Sequence, residues 1–274
     1  MVNILVPTDL SNLSKIAAGF AIKIANQLDA NITFIHVLTA VAPVRAVLEA
    51  RFKSLRGELL QRAEDEMIKT MKPVVRGVKF AAPIKYHTVI GVPFSNALRK
   101  ESKKLRSGLI VMGTHGASGL RKVILGSNTT SMIAVSSIPV LAVPEHAAFK
   151  GFRNIVYATD MKNLKKELKL LIPYARIFGS TIHIVHVSAS GNDVSALEEK
   201  MDGIVEKCGY DNVVNMVLAD EDVDDAIDQY VSINKADLLA MFTHNPTFYE
   251  RLFDRSQTRR MAFHSRVPLL AFKH

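Results

Sequence analysis

At 274 residues, 48% hydrophobic and 22% charged, the chain is long for one domain of roughly 100–150 residues and apolar enough to bury a sizeable core, which excludes a disordered or disulfide-stapled class. Its one cysteine, Cys208, cannot form an internal disulfide; it suits a reducing compartment and is expected as a buried apolar thiol on a helix. The net charge of +9 is uneven, with 20 Lys+Arg against 9 Asp+Glu up to residue 150 and 15 against 17 after it, so the first half is where an anionic partner would be met, unless the excess is only a solvated basic face.

The first apolar run, "NILVP" at Asn3 to Pro7, reads as a strand entering a turn, and the N-terminus lacks the basic flank and long apolar core of a signal peptide. No stretch reaches the ~18–20 apolar residues that span a bilayer, so a cytoplasmic protein without membrane association is expected. "SKIAAGFAIKIANQL" follows, with Ile16, Ala17, Phe20, Ala21, Ile24 and Leu28 at helical spacing. "ITFIHV" at Ile32 to Val37 is a second strand, and "RAVLEARFKSLRGELLQRAEDEMIKTM" a long charged amphipathic helix. "IKYHTVI", "LIVM" and "PVLAV" complete five strands apolar enough to be buried on both faces. Between them, one helix starts at Pro93, since proline suits a first turn, and another near Ser127.

The second half repeats the first. "NILVPTDLSNL" (Asn3–Leu13) returns as "NIVYATDMKNL" (Asn154–Leu164), "ITFIHV" as "IHIVHV", "LIVMGTH" as "LLAMFTH" and "IPVLAV" as "VPLLAF". Four blocks in one order indicate a tandem duplication, with its boundary in "PEHAAFKG", Pro144 to Gly151, and domains at 1–146 and 151–274. The second copy places strands near Ile155, Ile182, Val213, Leu238 and Leu269. Strands alternating with helices imply an α/β fold, two five-stranded parallel sheets with helices on both faces.

In such sheets ligands sit beyond the carboxyl ends of the strands, at the switch in strand order. Two segments of the first half meet that description: "PTD" after the first strand, and "GTHGASGLRKVILGSNTT" after the fourth, spaced Gly113-x2-Gly116-x9-Gly126-Ser127. Glycines admit close backbone approach and positive φ, a helix start at Ser127 offers free amides to an anion, and Ser127, Asn128, Thr129 and Thr130 add side-chain donors. No Gly-Lys-Ser/Thr follows, so this is not a Walker loop, and it is not G-x-G-x-x-G. The alternative is a surface loop with Ser127 capping a helix. Asp9 beside Asn12 has a second reading too, as a cap of the following helix.

These segments, together with the closing "PVLAV", resemble the universal stress protein family in its tandem form, over nearly the whole chain. The resemblance implies two Rossmann-like (adenine nucleotide alpha hydrolase-like) domains and a first domain that binds ATP, with Mg2+ accompanying the nucleotide. It implies that Pro7, Thr8 and Asp9 meet the adenosine, that Val37 offers its backbone to adenine, and that Met112 and Gly113 flank the ribose. Gly116, Gly126, Ser127, Asn128 and Thr129 would carry the phosphates; His115 would reach ribose or phosphate, or stand exposed in the loop. Arg121 and Lys122 would steer phosphate or remain a solvated pair. Members usually dimerise through the last strand, and in tandem forms the copies pair as an internal pseudo-dimer; "IPVLAVP" and "VPLLAF" are apolar enough for that, and for a homodimer of the chain.

The second copy departs from the pattern. Phe242 stands for Gly113, Asn245 for Gly116 and Arg255 for Gly126, while Asp160 and Ser256 persist. Phenylalanine would obstruct a nucleotide, so this domain is expected to be degenerate and Thr159-Asp160 to be retained turn chemistry. Arg251, Arg255, Arg259 and Arg260 form a cationic cluster for another anion or a solvated helix end, and "ADEDVDDAID" (Ala219–Asp228) fails the calcium-loop template and reads as an acidic helix start. The function expected is a non-enzymatic, ATP-binding stress regulator with an unidentified protein partner. Nucleic acid is disfavoured by 7% aromatics and no tryptophan; a nucleotide-independent interaction scaffold, a basic RNA-binding module and an adenylate-transferring or flavin-binding enzyme are the alternatives, the last lacking its SGGxDS-type loop.

Overall fold

The computed structural model describes residues 2–39, 46–76, 78, 83–114, 125–188, 194–243 and 266–273. It divides into two compact units, Met1–Glu145 and His146–Phe272. His115, Gly116, Arg121 and Lys122, and in the second copy Asn245, Arg251, Arg255, Ser256, Arg259 and Arg260, lie outside the described residues.

The first unit runs β1 (Asn3–Pro7), α1 (Asn12–Leu28), β2 (Asn31–Leu38), α2 (Ala46–Val75), β3 (Lys85–Ile90), α3 (Phe94–Lys104), β4 (Ser107–Gly113), α4 (Ser127–Val135) and β5 (Val140–Val143). The spatial order is β3-β2-β1-β4-β5, and β1 with β2, β1 with β4, β2 with β3 and β4 with β5 are parallel. Parallel neighbours need crossovers, which the helices supply: α1 packs with α2, and α3 with α4. Because β1 is flanked by β2 on one side and β4 on the other, its carboxyl end is the switch point of the sheet.

Burial explains the apolar strands: Ile4, Leu5, Val6, Phe34, Ile35, Ile110 and Val111 are all fully enclosed. α1 buries Ala17, Ala18, Ala21 and Ala25, small residues that let its axis approach the sheet, and its end is set by Asp29 at φ 49°, whose amide reaches Ala25 O. α2 runs a turn beyond Met71, with Pro73 in its last turns. α3 begins at Phe94 with Pro93 as N-cap.

The second unit comprises β6 (Asn154–Ala158), α5 (Leu164–Phe178), β7 (Thr181–Ser188), α6 (Val194–Val205), β8 (Val213–Ala219), α7 (Val223–Ile233), β9 (Leu238–Thr243) and β10 (Leu269–Lys273), in the order β10-β9-β6-β7-β8. Each of the repeated sequence blocks therefore forms the equivalent strand. Cys208 corrects one expectation: it is half-buried in the turn after α6, where its thiol faces Tyr210 O at 3.4 Å. The acidic stretch does start a helix, with Asp222 as N-cap accepting from the Asp224 and Asp225 amides. No group of three metal-ligating side chains occurs among the described residues, and no described helix is long and apolar enough to cross a membrane.

Candidate functional site

At the switch point of the first unit the chain opens a cleft of about 460 Å³, within the range of small-molecule sites. Pro7, Thr8 and Asp9 bring it the end of β1; Val37 comes from β2, Met112 and Gly113 from β4, and Asn128 and Thr129 from the start of α4. Gly126 and Ser127 are adjacent in the chain but do not line the cleft. Six further residues do: Ser14, His36, Thr39, Val92, Pro93 and Phe94. Of these, His36 left a trace in the sequence, because "FIHV" recurs as "IVHV" with the histidine kept; Pro93 was legible only as a helix start.

The turn after β1 is pinned by its own side chains. Thr8 keeps its amide on Ile35 O at 2.9 Å. Its hydroxyl accepts from the Leu10 amide at 3.0 Å and pairs with Ser14 Oγ at 2.9 Å. Asp9 Oδ1 accepts from the Ser11 amide at 3.1 Å. Asp9 thus makes an Asx turn, and the cap of α1 is Ser11, whose side chain accepts from Ser14 N. Leu10, between them, holds φ 67°, a left-handed conformation costing of order 1–3 kcal/mol for a non-glycine residue that the flanking hydrogen bonds must outweigh.

The far rim is the beginning of α4. Its N-cap is Gly126, with no side-chain cap bond, so Ser127 is the first helical residue rather than the cap. The Gly126 amide is donated to Thr114 O, and the Thr129 hydroxyl donates to Gly113 O at 2.8 Å, tying α4 to the end of β4. The hydroxyl proton of Thr129 is therefore engaged; what this helix end offers a ligand is the backbone amides of its first turn and the Asn128 side chain, with the positive end of the dipole behind them. Neither described glycine needs a left-handed backbone. Gly126 sits at φ −62°, ψ 153°, and a Cβ on Gly113 would meet Leu13 Cγ at 2.6 Å, so glycine is required there by α1 packing.

The second unit repeats the turn. Thr159 Oγ1 accepts from Met161 N at 3.0 Å, Asp160 Oδ1 from Lys162 N at 3.1 Å, and Met161 has φ 63°. Phe242, at the Gly113 position, is 5% exposed; its ring stacks on Phe272 at 4.5 Å and meets Tyr157 edge-on at 5.6 Å. Tyr157 stands where the first copy has Val6, and its hydroxyl donates to the buried Glu167 carboxylate. Burial, then the adjacent Glu167 charge, raise the Tyr157 phenol far above its ordinary range and keep it protonated.

A sequence model of the universal stress protein family matches residues 1–144. A universal stress protein of Methanocaldococcus jannaschii is 34% identical over 140 residues, 51% of this chain and 80% of its own length. Among solved structures, a universal stress protein from Archaeoglobus fulgidus DSM 4304 aligns over 99% of this chain and 98% of its own, with 19% identity and a TM-score of 0.66. A universal stress protein solved in complex with cAMP is 23% identical over 52% of this chain and 95% of its own, at a TM-score of 0.34.

Proposed function

The chain belongs to the universal stress protein family, and on that premise we propose that its first unit binds one adenine nucleotide, ATP with Mg2+ as counter-ion, and acts as a nucleotide-responsive regulator in stress rather than as an enzyme. The observation that carries this reading is the cleft at the β1–β4 switch point, apolar on one side and closed on the other by a helix start with no side-chain cap. Val37, Val92, Pro93 and Met112 suit a purine base. Asp9, held by its Asx turn, suits a ribose hydroxyl donor. The first-turn amides at Ser127, Asn128 and Thr129 suit phosphate oxygens. Asp9 is the sole carboxylate among the cleft's lining residues, so Mg2+ would be held chiefly by phosphates and water. In the second unit the aromatic cluster of Phe242, Tyr157 and Phe272 supports a degenerate domain with a structural or regulatory part.

Calorimetric titration of the full chain with ATP, and separately with adenosine, tests the reading. ATP should bind more tightly than adenosine by the share of the phosphate contacts, and Gly126→Arg, which copies the second unit, should abolish that difference. Gly126 has a backbone conformation open to any residue, so the loss would not report backbone strain. No binding of either compound, or equal affinity for both, would count against the proposal and leave a nucleotide-independent interaction scaffold.

A further inference from the structure

The carbonyl of Thr8 points out of the sheet ladder and is met by His36 Nδ1 at 2.7 Å. A carbonyl only accepts, so Nδ1 carries the proton and donates. β1 and β2 run in parallel register through Pro7↔Ile35, which puts His36 level with Thr8 as the chain leaves the sheet. The bond therefore extends the β1–β2 pairing at Thr8 by a side chain, beside the Thr8 amide bond to Ile35 O, at the point where the backbone must turn. Beyond it come the two side-chain-to-amide bonds of Thr8 and Asp9 and the left-handed Leu10.

The second unit contains the same device. His186 Nδ1 donates to Thr159 O at 2.9 Å, Thr159 N bonds Val185 O at 3.0 Å, and the Thr159, Asp160 and Met161 geometry follows as before. There the Gly113 position is filled by a buried phenylalanine. The same histidine bond thus recurs on the same Thr-Asp turn in both units.

We propose that His36 is a positioning residue for ligand binding in the first unit: by holding the Thr8 carbonyl it fixes the turn that presents Asp9 to the cleft. This rests on the nucleotide-binding reading above. His186 fixes the equivalent turn with no consequence for the ligand, which makes it an internal control.

The test uses the full chain and ATP. His36→Leu removes the donor at similar volume; His36→Asn returns an N–H near the place of Nδ1; His186→Leu breaks the equivalent bond in the other unit. We expect His36→Leu to weaken ATP binding by about tenfold, because an ordered contact must then be fixed at the moment of binding. His36→Asn should recover to within about threefold on the same grounds. His186→Leu should lower the melting temperature as much as His36→Leu does and leave ATP affinity unchanged. Amide exchange at Leu10 and Ser11, whose N–H groups close the two side-chain turns, should accelerate in His36→Leu and return in His36→Asn. Adding His36→Leu to Asp9→Ala should cost nothing beyond Asp9→Ala, since both act through one contact. ATP affinity unaffected by His36→Leu, or full additivity with Asp9→Ala, would overturn the positioning role while leaving the nucleotide reading intact; a wild-type chain that binds no ATP would overturn the reading itself.

Discussion

Thr129 shows how a residue in the right place takes a different part from the one its type suggests. It was read as a phosphate donor; its hydroxyl instead donates to Gly113 O. Thr129→Val should cost about 1 kcal/mol of stability for a lost neutral hydrogen bond and weaken ATP binding indirectly, by loosening α4 from β4. Thermal denaturation together with ATP titration checks both. Gly113 yields a sharper outcome. Since a Cβ there would lie 2.6 Å from Leu13 Cγ, Gly113→Ala should destabilise the chain by about 1–3 kcal/mol, the usual penalty of overpacking. Adding Leu13→Ala should relieve part of the strain, leaving the double variant less destabilised than the sum of the single ones. Additive losses would show that the two residues do not share the space. These contacts were not legible in the sequence, because a glycine demanded by packing and one demanded by a ligand look the same when only spacing is known.

The helices carry the electrostatic predictions. Ser127 is the first residue of α4, and Gly126 before it already has the extended backbone that a following proline requires. Ser127→Pro should therefore leave the melting temperature nearly unchanged, since proline suits this position, while removing one amide from the rim. A charge-assisted hydrogen bond is worth about 1.5–3 kcal/mol, so ATP affinity should drop by about tenfold or more. An unaltered affinity would mean that this amide faces water. At the acidic start of α7, burial first and then Asp224, Asp225 and Asp222 push the Asp228 carboxyl up from 3.8 to about 7. The folded chain binds this proton more tightly than the unfolded one, so the contribution is present in full below about pH 4 and is lost as pH rises through about 7. Melting temperature should fall between about pH 5 and pH 8, and Asp228→Asn should flatten that slope; an identical slope in the variant would sink the assignment. The elements themselves were the most legible part of the chain. Short continuous apolar runs and period-3.6 patterning marked the strands and helices of the first copy, because both faces of a parallel sheet and one face of each helix must be apolar. Cys208 was misplaced onto a helix because α6 ends at Val205 with no proline to announce it.

At the scale of the whole molecule, the duplicated sequence blocks form two units with the same strand order. Repeat blocks were visible in the sequence because strand cores and the Thr-Asp turn recur in both copies. What the sequence could not display was how the second unit compensates. Tyr157 replaces Val6, Phe242 replaces Gly113, and the two rings pack together with Phe272, turning the equivalent region into aromatic core of the kind that is worth about 0.5–1.5 kcal/mol per ring pair beyond area burial. The most direct measurement is native mass spectrometry of the full chain with saturating ATP. The account predicts a mass increase of one nucleotide per chain, lost in Gly126→Arg and retained in His186→Leu. A chain carrying no nucleotide, or two, would contradict it.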